Sequence, residues 1–333
     1  MSAPGAILVI TEQRDGKLNR VSYETIAAAQ KIAAHTGCSV EAVVMGADVS
    51  SAANEIAAKK LAKVYQIQSP SLEQYTADGY VAALKPFLLE KSPSLVLFPH
   101  TYQVRDFAPK LALALDRPVI SDVVGYKYES GKLIFTRQMF QGKFAADVSF
   151  TGEPPYFATV QAGSFRADQA ENGPAPVPIE TVNAAVENTS IRVKSHEIYK
   201  EAKQAVDLTQ AEIIVSVGRG IKEQKNVDIA AKLAEALGGE LAASRPICDA
   251  GWLPIERQIG SSGQTVSPRL YIALGISGAI QHLVGMKGSR SIIAVNKDPE
   301  APIFDIADVA VIGNLLEIVP ALTEEVKKAK AEA

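Results

Sequence analysis

The chain has little of what several functional classes require. It contains two cysteines, Cys38 and Cys248, far apart along its 333 residues. Two isolated cysteines exclude a disulfide framework and predict a reducing compartment. The four histidines are scattered as well, so we expect no metal site. No run of about 18 apolar residues is free of charges and turns, which predicts that no segment is inserted into a membrane.

A surplus of positive charge is also missing. The formal net charge of −3 argues against a nucleic-acid surface, which normally carries clustered lysine and arginine. The first residues, MSAPGAILVITEQRDG, enter a predicted strand without a basic region ahead of an apolar run. We therefore expect no secretory signal and a cytoplasmic protein. Neither a P-loop nor a Gly-x-Ser-x-Gly elbow occurs, and we expect no catalytic residue of either kind.

Strand-like and helical stretches alternate along residues 1–165. This order predicts an N-terminal α/β domain with a parallel sheet that helices cover on both faces. The predicted strands are Ala6–Thr11, Val40–Met45, Val64–Ile67 and Leu95–Pro99, and the predicted helices are Tyr23–Ala34, Ala52–Ala62, Tyr75–Leu89 and Val104–Leu115. Further on, short β-rich runs separated by glycines indicate a small antiparallel addition. These runs are Lys132–Thr136, Ala145–Phe150 and Phe157–Gln161.

A second domain is predicted after a break in this pattern. Residues 166–195 lose apolar periodicity, and the prolines of Glu171–Pro178 are typical of a semi-rigid linker, which we expect to act as a hinge. Residues 196–333 resume an α/β pattern, which predicts a doubly wound domain of flavodoxin-like or Rossmann-like order. Its predicted strands are Ile213–Val217, Glu240–Ala243, Tyr271–Leu274, Ser291–Val295 and Ala310–Ile312, and its helices include Asp228–Leu237 and Leu315–Lys330.

The segment Leu270–Asp298 carries the strongest indication of a ligand site. Its first strand breaks at Gly275, and Ser277-Gly278 is predicted to open a helix that runs to Met286. Free backbone N–H groups and the dipole at such a helix start suit a phosphate or pyrophosphate. The alternative is that Ser277 only caps the helix and that His282 is an ordinary structural residue.

A second glycine turn, Gly218-Arg219-Gly220, follows the strand Ile213–Val217 directly. It combines close backbone approach with a fixed positive charge that suits phosphate, although an exposed arginine without a ligand is the alternative. The full Gly-x-Gly-x-x-Gly pattern is absent because position 223 is Glu, which counts against an NAD-type site.

Polar residues also follow the next strand. Arg245 could contact a ring or a carbonyl group, or it could form a salt bridge with Asp249 or Glu256. The loop Gln258–Thr265 is rich in hydroxyl and amide groups. It could bind a ligand or be an ordinary surface loop.

Together these motifs resemble the electron-transfer flavoprotein alpha subunit family. The run LYIALGISGAIQHLVGMK, followed by IAVNKDPEAPIF, is similar to the family's signature. Gly218-Arg219-Gly220, Ala243-Ser244-Arg245 and Gln258-Ile259-Gly260 stand upstream of it in the family's order and spacing. The resemblance implies that residues 196–333 bind FAD and that residues 1–165 contact a beta subunit.

The resemblance also implies which residues bind FAD. They are Arg219, Ser244, Arg245, Gln258, Ile259, Gly260, Ser261, Ser262, Ser277, Gly278, Ala279, Ile280, Gln281, His282, Asn296, Asn314 and Leu315. Arg245 is expected against the flavin ring and His282 near its N1–C2 edge, where both favour negative charge on the reduced ring. Ser261-Ser262 is expected near N5, where many members have Gln-Thr. Asn296 is expected near the adenine and ribose, and Asn314 stands where relatives often have Asp.

The function that the resemblance implies is electron transport by a heterodimer. A chain of this family takes electrons one at a time from flavoprotein dehydrogenases such as the acyl-CoA dehydrogenases of fatty acid oxidation. It passes them to a membrane quinone oxidoreductase and has no organic substrate of its own. Three alternatives remain open at this point: an NAD(P)-dependent dehydrogenase, an electron-bifurcating variant of the same family, and a nucleotide-sensing protein.

Overall fold

The computed structural model describes residues 5–140, 142–184, 186, 191–193 and 207–332. It divides into two compact units, Met1–Tyr199 and Lys200–Ala333, which we name the N-terminal and the C-terminal unit. Among the residues that it describes, none of the helices combines the length and apolar character that crossing a membrane requires.

The N-terminal unit is built around one sheet. Its strands are β1 (Ala6–Ile10), β2 (Gln13–Arg14), β3 (Lys17–Leu18), β4 (Ser39–Gly46), β5 (Lys63–Gln68), β6 (Leu95–Pro99), β7 (Val119–Glu129), β8 (Lys132–Met139), β9 (Phe144–Val148), β10 (Tyr156–Val160) and β11 (Ile179–Asn183). Its helices are α1 (Arg20–Thr36), α2 (Ser50–Ala57), α3 (Ala77–Lys91) and α4 (Tyr102–Ala114). In the described part of the unit, the sheet order is β11-β5-β4-β1-β6-β10-β7-β8-β9.

Burial on both faces explains the parallel part of this sheet. Along β1, Ile7 and Val9 pack into a core with α1 and α2, whereas Leu8 and Ile10 pack into a second core with α3 and α4. A strand buried on both sides must be apolar at every position, which is why the sequence shows continuous apolar runs here. Side chains cap the starts of α1, α3 and α4. For example, the Thr101 hydroxyl accepts the N–H of Val104 at the start of α4.

The predicted antiparallel addition is confirmed for β8, which pairs antiparallel with β7, and for β9, which pairs antiparallel with β8. The prediction was wrong for Phe157–Gln161. That run forms β10, which lies between β6 and β7 and is parallel to both. Its residues Phe157–Val160 are all buried, as a central strand covered on both faces requires.

The stretch predicted as a linker carries a strand that the sequence analysis missed. Strand β11 pairs parallel with β5 at one edge of the sheet. Ahead of it, the backbone of Glu171–Val177 is held by hydrogen bonds to Ala57, Ala58 and Lys60. This first part of the stretch is therefore anchored to the N-terminal unit. Residues 185, 187–190 and 194–195 of the predicted linker lie outside the described ranges.

The C-terminal unit contains a second sheet. Its strands are β12 (Ile213–Val217), β13 (Glu240–Ser244), β14 (Gln258–Ile259), β15 (Leu270–Leu274), β16 (Ser291–Asn296) and β17 (Val309–Ile312). Its helices are α5 (Val227–Leu237), α6 (Arg245–Asp249), α7 (Ile280–Val284) and α8 (Leu315–Glu332). The described strands are parallel and lie in the order β14-β13-β12-β15-β16-β17.

Counted along the chain, these strands have the order 3-2-1-4-5-6 of a Rossmann fold, so the predicted Rossmann-like alternative is confirmed. One face of the sheet packs against α5 and α8 through Val215, Val217 and Leu274. The other face carries Tyr271 and Ala273 and is covered by loops and α7. The order reverses between β12 and β15, and their carboxyl ends are where such a sheet binds a ligand.

Candidate functional site

The floor of the site is made of glycine backbone at the carboxyl ends of β12 and β15. The N–H of Gly218 donates to the carbonyl of Leu274 at 2.9 Å, and the N–H of Gly220 donates to the carbonyl of Gly275 at 3.0 Å. A Cβ on Gly220 would lie 2.6 Å from the Cα of Gly275, which itself has a left-handed φ of +63°. Two turns therefore touch through backbone alone, and a side chain at either glycine would push them apart.

The predicted helix start at Ser277 was wrong. Helix α7 spans only five residues, and its N-cap is Ala279, whose side chain makes no capping hydrogen bond. The chain stays extended because the Ser277 carbonyl accepts the N–H of Ile303 and because Gly278 has a φ of +93°. A Cβ on Gly278 would overlap the backbone nitrogen of Ile303. Ser277 is exposed, and Ala279 and Ile280 are exposed beside it.

Arg219 lies in a short 3-10 turn directly after Gly218, and its side chain is exposed. This turn opens at the point where the strand order reverses, so the guanidinium stands at the edge of the glycine floor. A fixed cation with several donors suits a phosphate group at that place.

Ser244 and Arg245 follow at the end of β13. Ser244 is buried, and Arg245 begins the short helix α6. The Nε of Arg245 lies 3.3 Å from a carboxylate oxygen of Asp249, so the salt bridge that we considered as an alternative is present. Both side chains are mostly exposed, at 67% and 57%. Such a pair contributes only about 0–1 kcal/mol, which leaves the guanidinium available to a ligand.

The loop after β14 is a closed turn rather than an open surface loop. The N–H of Gln264 donates to the carbonyl of Gln258 at 2.8 Å, and the N–H of Ser261 donates to the carbonyl of Gln281 at 2.7 Å. The second bond ties the loop to α7, and Gly260, with a φ of +142°, allows the close approach. Ser261 and Ser262 are exposed at the tip of this turn.

His282 is buried beneath this loop and makes a hydrogen bond that the sequence analysis missed. Its Nε2 lies 2.9 Å from the hydroxyl of Tyr271, a fully buried residue of β15. Burial lowers the pKa of His282 to about 4, and the nearby Ile259 carbonyl opposes this only in part. Burial also raises the pKa of Tyr271, against a smaller opposite effect of Ser216. Near neutral pH the pair is therefore a neutral imidazole and a neutral phenol.

The second nitrogen of this ring, Nδ1, is buried and makes no hydrogen bond of standard geometry with the described residues. A buried tyrosine needs a partner for its hydroxyl, so Tyr271 in an apolar strand was the signal that could have revealed the pair.

Two asparagines complete the site at the ends of β16 and β17. The Nδ2 of Asn296 donates to the carbonyl of Ile276 at 2.9 Å, which joins β16 to the turn after β15. The Asn314 side chain accepts the N–H of Leu316 at 3.4 Å and bonds to Glu317, so it stands at the start of α8. Leu315 is buried in the core that α8 covers.

The predicted binding residues thus lie at one edge of one sheet, at or just after the carboxyl ends of its strands. This edge offers a backbone floor, two exposed arginines and a turn with two exposed hydroxyls. The arrangement is extended across six described strands, which fits a dinucleotide better than a small ligand.

Known proteins give the same assignment. The family model of the electron transfer flavoprotein domain matches residues 7–187, and that of the electron transfer flavoprotein FAD-binding domain matches residues 207–287. Electron transfer flavoprotein subunit alpha of Bacillus subtilis (strain 168) is 40% identical over 322 residues and covers 97% of each chain. The protein of the same name from Thermoanaerobacterium thermosaccharolyticum is 39% identical and covers 97% of this chain and 98% of its own.

A third relative has a different name. Acryloyl-CoA reductase electron transfer subunit beta of Anaerotignum propionicum is 35% identical and covers 97% of this chain and 96% of its own. The similarity to these relatives extends over nearly the full length of both units. The chain belongs to the electron transfer flavoprotein alpha subunit family.

Proposed function

We propose that the C-terminal unit binds FAD and that the chain is the alpha subunit of a heterodimeric electron carrier. In this proposal it takes single electrons from flavoprotein dehydrogenases, such as acyl-CoA dehydrogenases, and delivers them to a membrane quinone oxidoreductase. The observation that carries the proposal is the Rossmann sheet whose switch point, arginines and polar turn coincide with the matched FAD-binding region. Electron transfer needs no general base, and we identify none among the described residues of the site.

The FAD is expected to lie along the edge of the sheet. Arg219 and the glycine floor would hold its pyrophosphate, and Asn296 and Asn314 would contact its adenine and ribose. Arg245, the turn with Ser262, and His282 would surround the flavin ring. When bound, the flavin supplies a ring that accepts and releases electrons one or two at a time.

The side chains around the ring differ in charge. Arg245 is always protonated and lies at the surface, so it is the group that can add positive charge beside the ring. His282 contributes no charge near neutral pH because burial lowers its pKa to about 4. We infer that Arg245 provides the electrostatic part of the flavin environment and that His282 provides only hydrogen bonds.

The heterodimer proposal is supported by an apolar group at the exposed edge of the N-terminal sheet. Phe140 and Phe144 are 70% and 65% exposed and pack against each other with ring centroids 5.9 Å apart. Met139 beside them is 41% exposed. Strand β9 pairs only with β8 among the described strands, so it offers a free edge as well. An exposed aromatic pair on a free sheet edge is a typical protein interface, and we assign it to the beta subunit.

The test is co-expression with the beta subunit encoded in the same genome, followed by purification through a tag on that subunit. We expect a yellow complex with one chain of each kind and FAD released on denaturation. Reduction of this flavin by an acyl-CoA dehydrogenase and its substrate, at a rate that increases with complex concentration, would support the proposed donors. Co-purification without flavin, or a chain that binds nicotinamide dinucleotides instead, would contradict the proposal.

A bifurcating role is a second candidate because of one relative. Lactate dehydrogenase (NAD(+),ferredoxin) subunit LctC of Acetobacterium woodii is 36% identical and covers 95% of this chain and 75% of its own. Its name includes both NAD(+) and ferredoxin. Flavin counting separates the candidates, because a simple shuttle of the kind proposed holds one FAD and a bifurcating complex requires a second flavin.

A further inference from the structure

Gln258 is a buried polar residue whose side chain contacts the exposed tip of the turn that follows it. It is 2% exposed, and its Nε2 donates to the Oγ of Ser262 at 3.0 Å. Its amide oxygen, Oε1, is buried and has no hydrogen-bond partner among the described residues. An unpaired buried acceptor destabilises a fold, and a methionine would fill the same space without that penalty. The amide therefore needs a reason other than packing.

The direction of the hydrogen bond supplies that reason. An amide nitrogen can only donate, so the Ser262 oxygen is the acceptor and its own hydrogen remains free to donate elsewhere. The backbone of the turn holds the two residues in place, because the N–H of Gln264 donates to the carbonyl of Gln258 at 2.8 Å and the N–H of Gly263 donates to the carbonyl of Gly260 at 3.0 Å. A Cβ on Gly263 would lie 2.8 Å from the carbonyl carbon of Gln258, so the backbone of the turn is closely packed.

We propose that Gln258 is a positioning residue: it holds the Ser262 hydroxyl as a hydrogen-bond donor toward the flavin and does not touch the cofactor itself. The inference rests on the proposed function, because it requires a flavin over this turn. It changes the expected role of Gln258, which the family resemblance placed among the residues that bind the cofactor directly.

The consequence concerns the reduction potential. A donor binds a flavin ring more strongly as the ring gains electrons, so the Ser262 hydroxyl favours the reduced cofactor. Ser262→Ala should lower the affinity for reduced relative to oxidised flavin by about tenfold, the size expected for one such hydrogen bond. For a two-electron couple this corresponds to a decrease of about 30 mV. Gln258→Met should lower the potential in the same direction.

The decisive experiment is a double-variant cycle on the flavin-loaded heterodimer, with the potential measured by dye-coupled titration. If Gln258 acts through Ser262, Gln258→Met lowers the potential in the native chain and has no further effect in Ser262→Ala. Gln258→Asn is the second variant; it keeps an amide but shortens the side chain by one methylene. It should also lower the potential in the native chain and have no further effect in Ser262→Ala. If Gln258→Met lowered the potential equally in the native chain and in Ser262→Ala, the proposal would be overturned.

Gln264→Met is the matched control within the same turn. The Gln264 side chain bonds to the carbonyl of Glu256 and accepts the N–H of Leu208, and neither bond involves Ser262. Its replacement loosens the turn, and any shift that it causes should be the same with and without the Ser262 hydroxyl. If the shift caused by Gln264→Met instead depended on the Ser262 hydroxyl as strongly as that of Gln258→Met, the effect of Gln258 would be merely structural, and the inference would be rejected. A complex without flavin would instead reject the proposed function, whereas flavin uptake with additive shifts rejects this inference alone.

Discussion

Replacing Arg245 with alanine should change the flavin potential and leave the fold nearly intact. Among the described residues, Arg245 forms an ion pair with Asp249 at 3.3 Å, and both side chains are mostly exposed. Loss of that ion pair costs about 0–1 kcal/mol of unfolding free energy. Loss of a hydrogen bond from a cation to the reduced ring costs about 1.5–3 kcal/mol. With about 59 mV for a tenfold change in a one-electron couple, this is a decrease of roughly 65–130 mV.

The exposed position of Arg245 favours the lower end of that range, because water and salt screen an exposed charge. The assay is a potentiometric titration of the flavin-loaded heterodimer that follows the first reduction step and the amount of one-electron-reduced flavin. Arg245→Lys, which keeps the charge but not the planar fork, should lie between the native chain and Arg245→Ala.

Asp249→Asn is the matched control because it breaks the same ion pair and keeps the cation. Removing a negative charge near the ring should leave the potential unchanged or raise it slightly. An unaltered first potential in Arg245→Ala, or an equal decrease in Asp249→Asn, would refute the assignment of Arg245 to the ring. FAD content should stay close to one per heterodimer, since the pyrophosphate contacts are assigned to Arg219 and the glycine floor.

Other predictions follow from burial and backbone geometry. Burial lowers the pKa of His282 to about 4, whereas its value in the unfolded chain is near 6.5. Between these two pH values only the unfolded chain takes up the proton. The free energy of unfolding should therefore fall by up to about 1.4 kcal/mol per pH unit as the pH decreases from 6.5 to 4. Denaturant titrations should show a flatter profile for His282→Gln, and an identical profile would contradict the buried neutral imidazole. Gly278→Ala places a side chain at a φ of +93° and in overlap with the backbone of Ile303, so calorimetry should show that the unfolding free energy falls by more than about 2 kcal/mol. An unchanged unfolding free energy of the C-terminal unit would argue against the geometry of this turn. Serine at both Phe140 and Phe144 should change stability by less than about 0.5 kcal/mol yet abolish co-purification with the beta subunit, whereas serine at Leu113, which is 81% exposed in the same unit, should not.

The sequence predicted the parallel framework well because its strands are buried on both faces. Leu95–Pro99 was predicted with the bounds that the structure shows, and each of its residues is buried. Such runs must be apolar throughout, so their pattern does not depend on what they pair with. The alternation with helices then fixes the class of fold, although it does not fix the order of the strands.

Long-range pairing accounts for what the sequence did not reveal. Strand β11 has only partly buried and exposed residues, and the prolines ahead of it suggested a linker. Its place is set by pairing with β5, more than a hundred residues earlier in the chain. The small hairpin of β2 and β3 was missed for a different reason. Its Asp15-Gly16 turn, with both φ values positive, is a strong local signal that went unused.

The structure does not have the helix start at Ser277 that the sequence analysis predicted as an anion site. A helix from Ser277 would have supplied a dipole and free N–H groups, but α7 has only five residues and begins after an extended segment. The N–H groups of Gly218 and Gly220 are also used, because they donate to Leu274 and Gly275. These N–H groups are therefore not free to bind an anion, so positive charge at this edge has to come from side chains.

We therefore propose separate roles for the two arginines. Arg219 stands at the glycine floor and is the fixed cation available to the pyrophosphate, whose charge does not change when electrons arrive. Arg245 stands beside the polar turn, where the charge of a flavin ring does change. An interaction with an unchanging charge contributes to binding in every redox state, whereas an interaction with a changing charge sets the potential. In this proposal, Arg219 holds the cofactor in every redox state, whereas Arg245 changes its reduction potential.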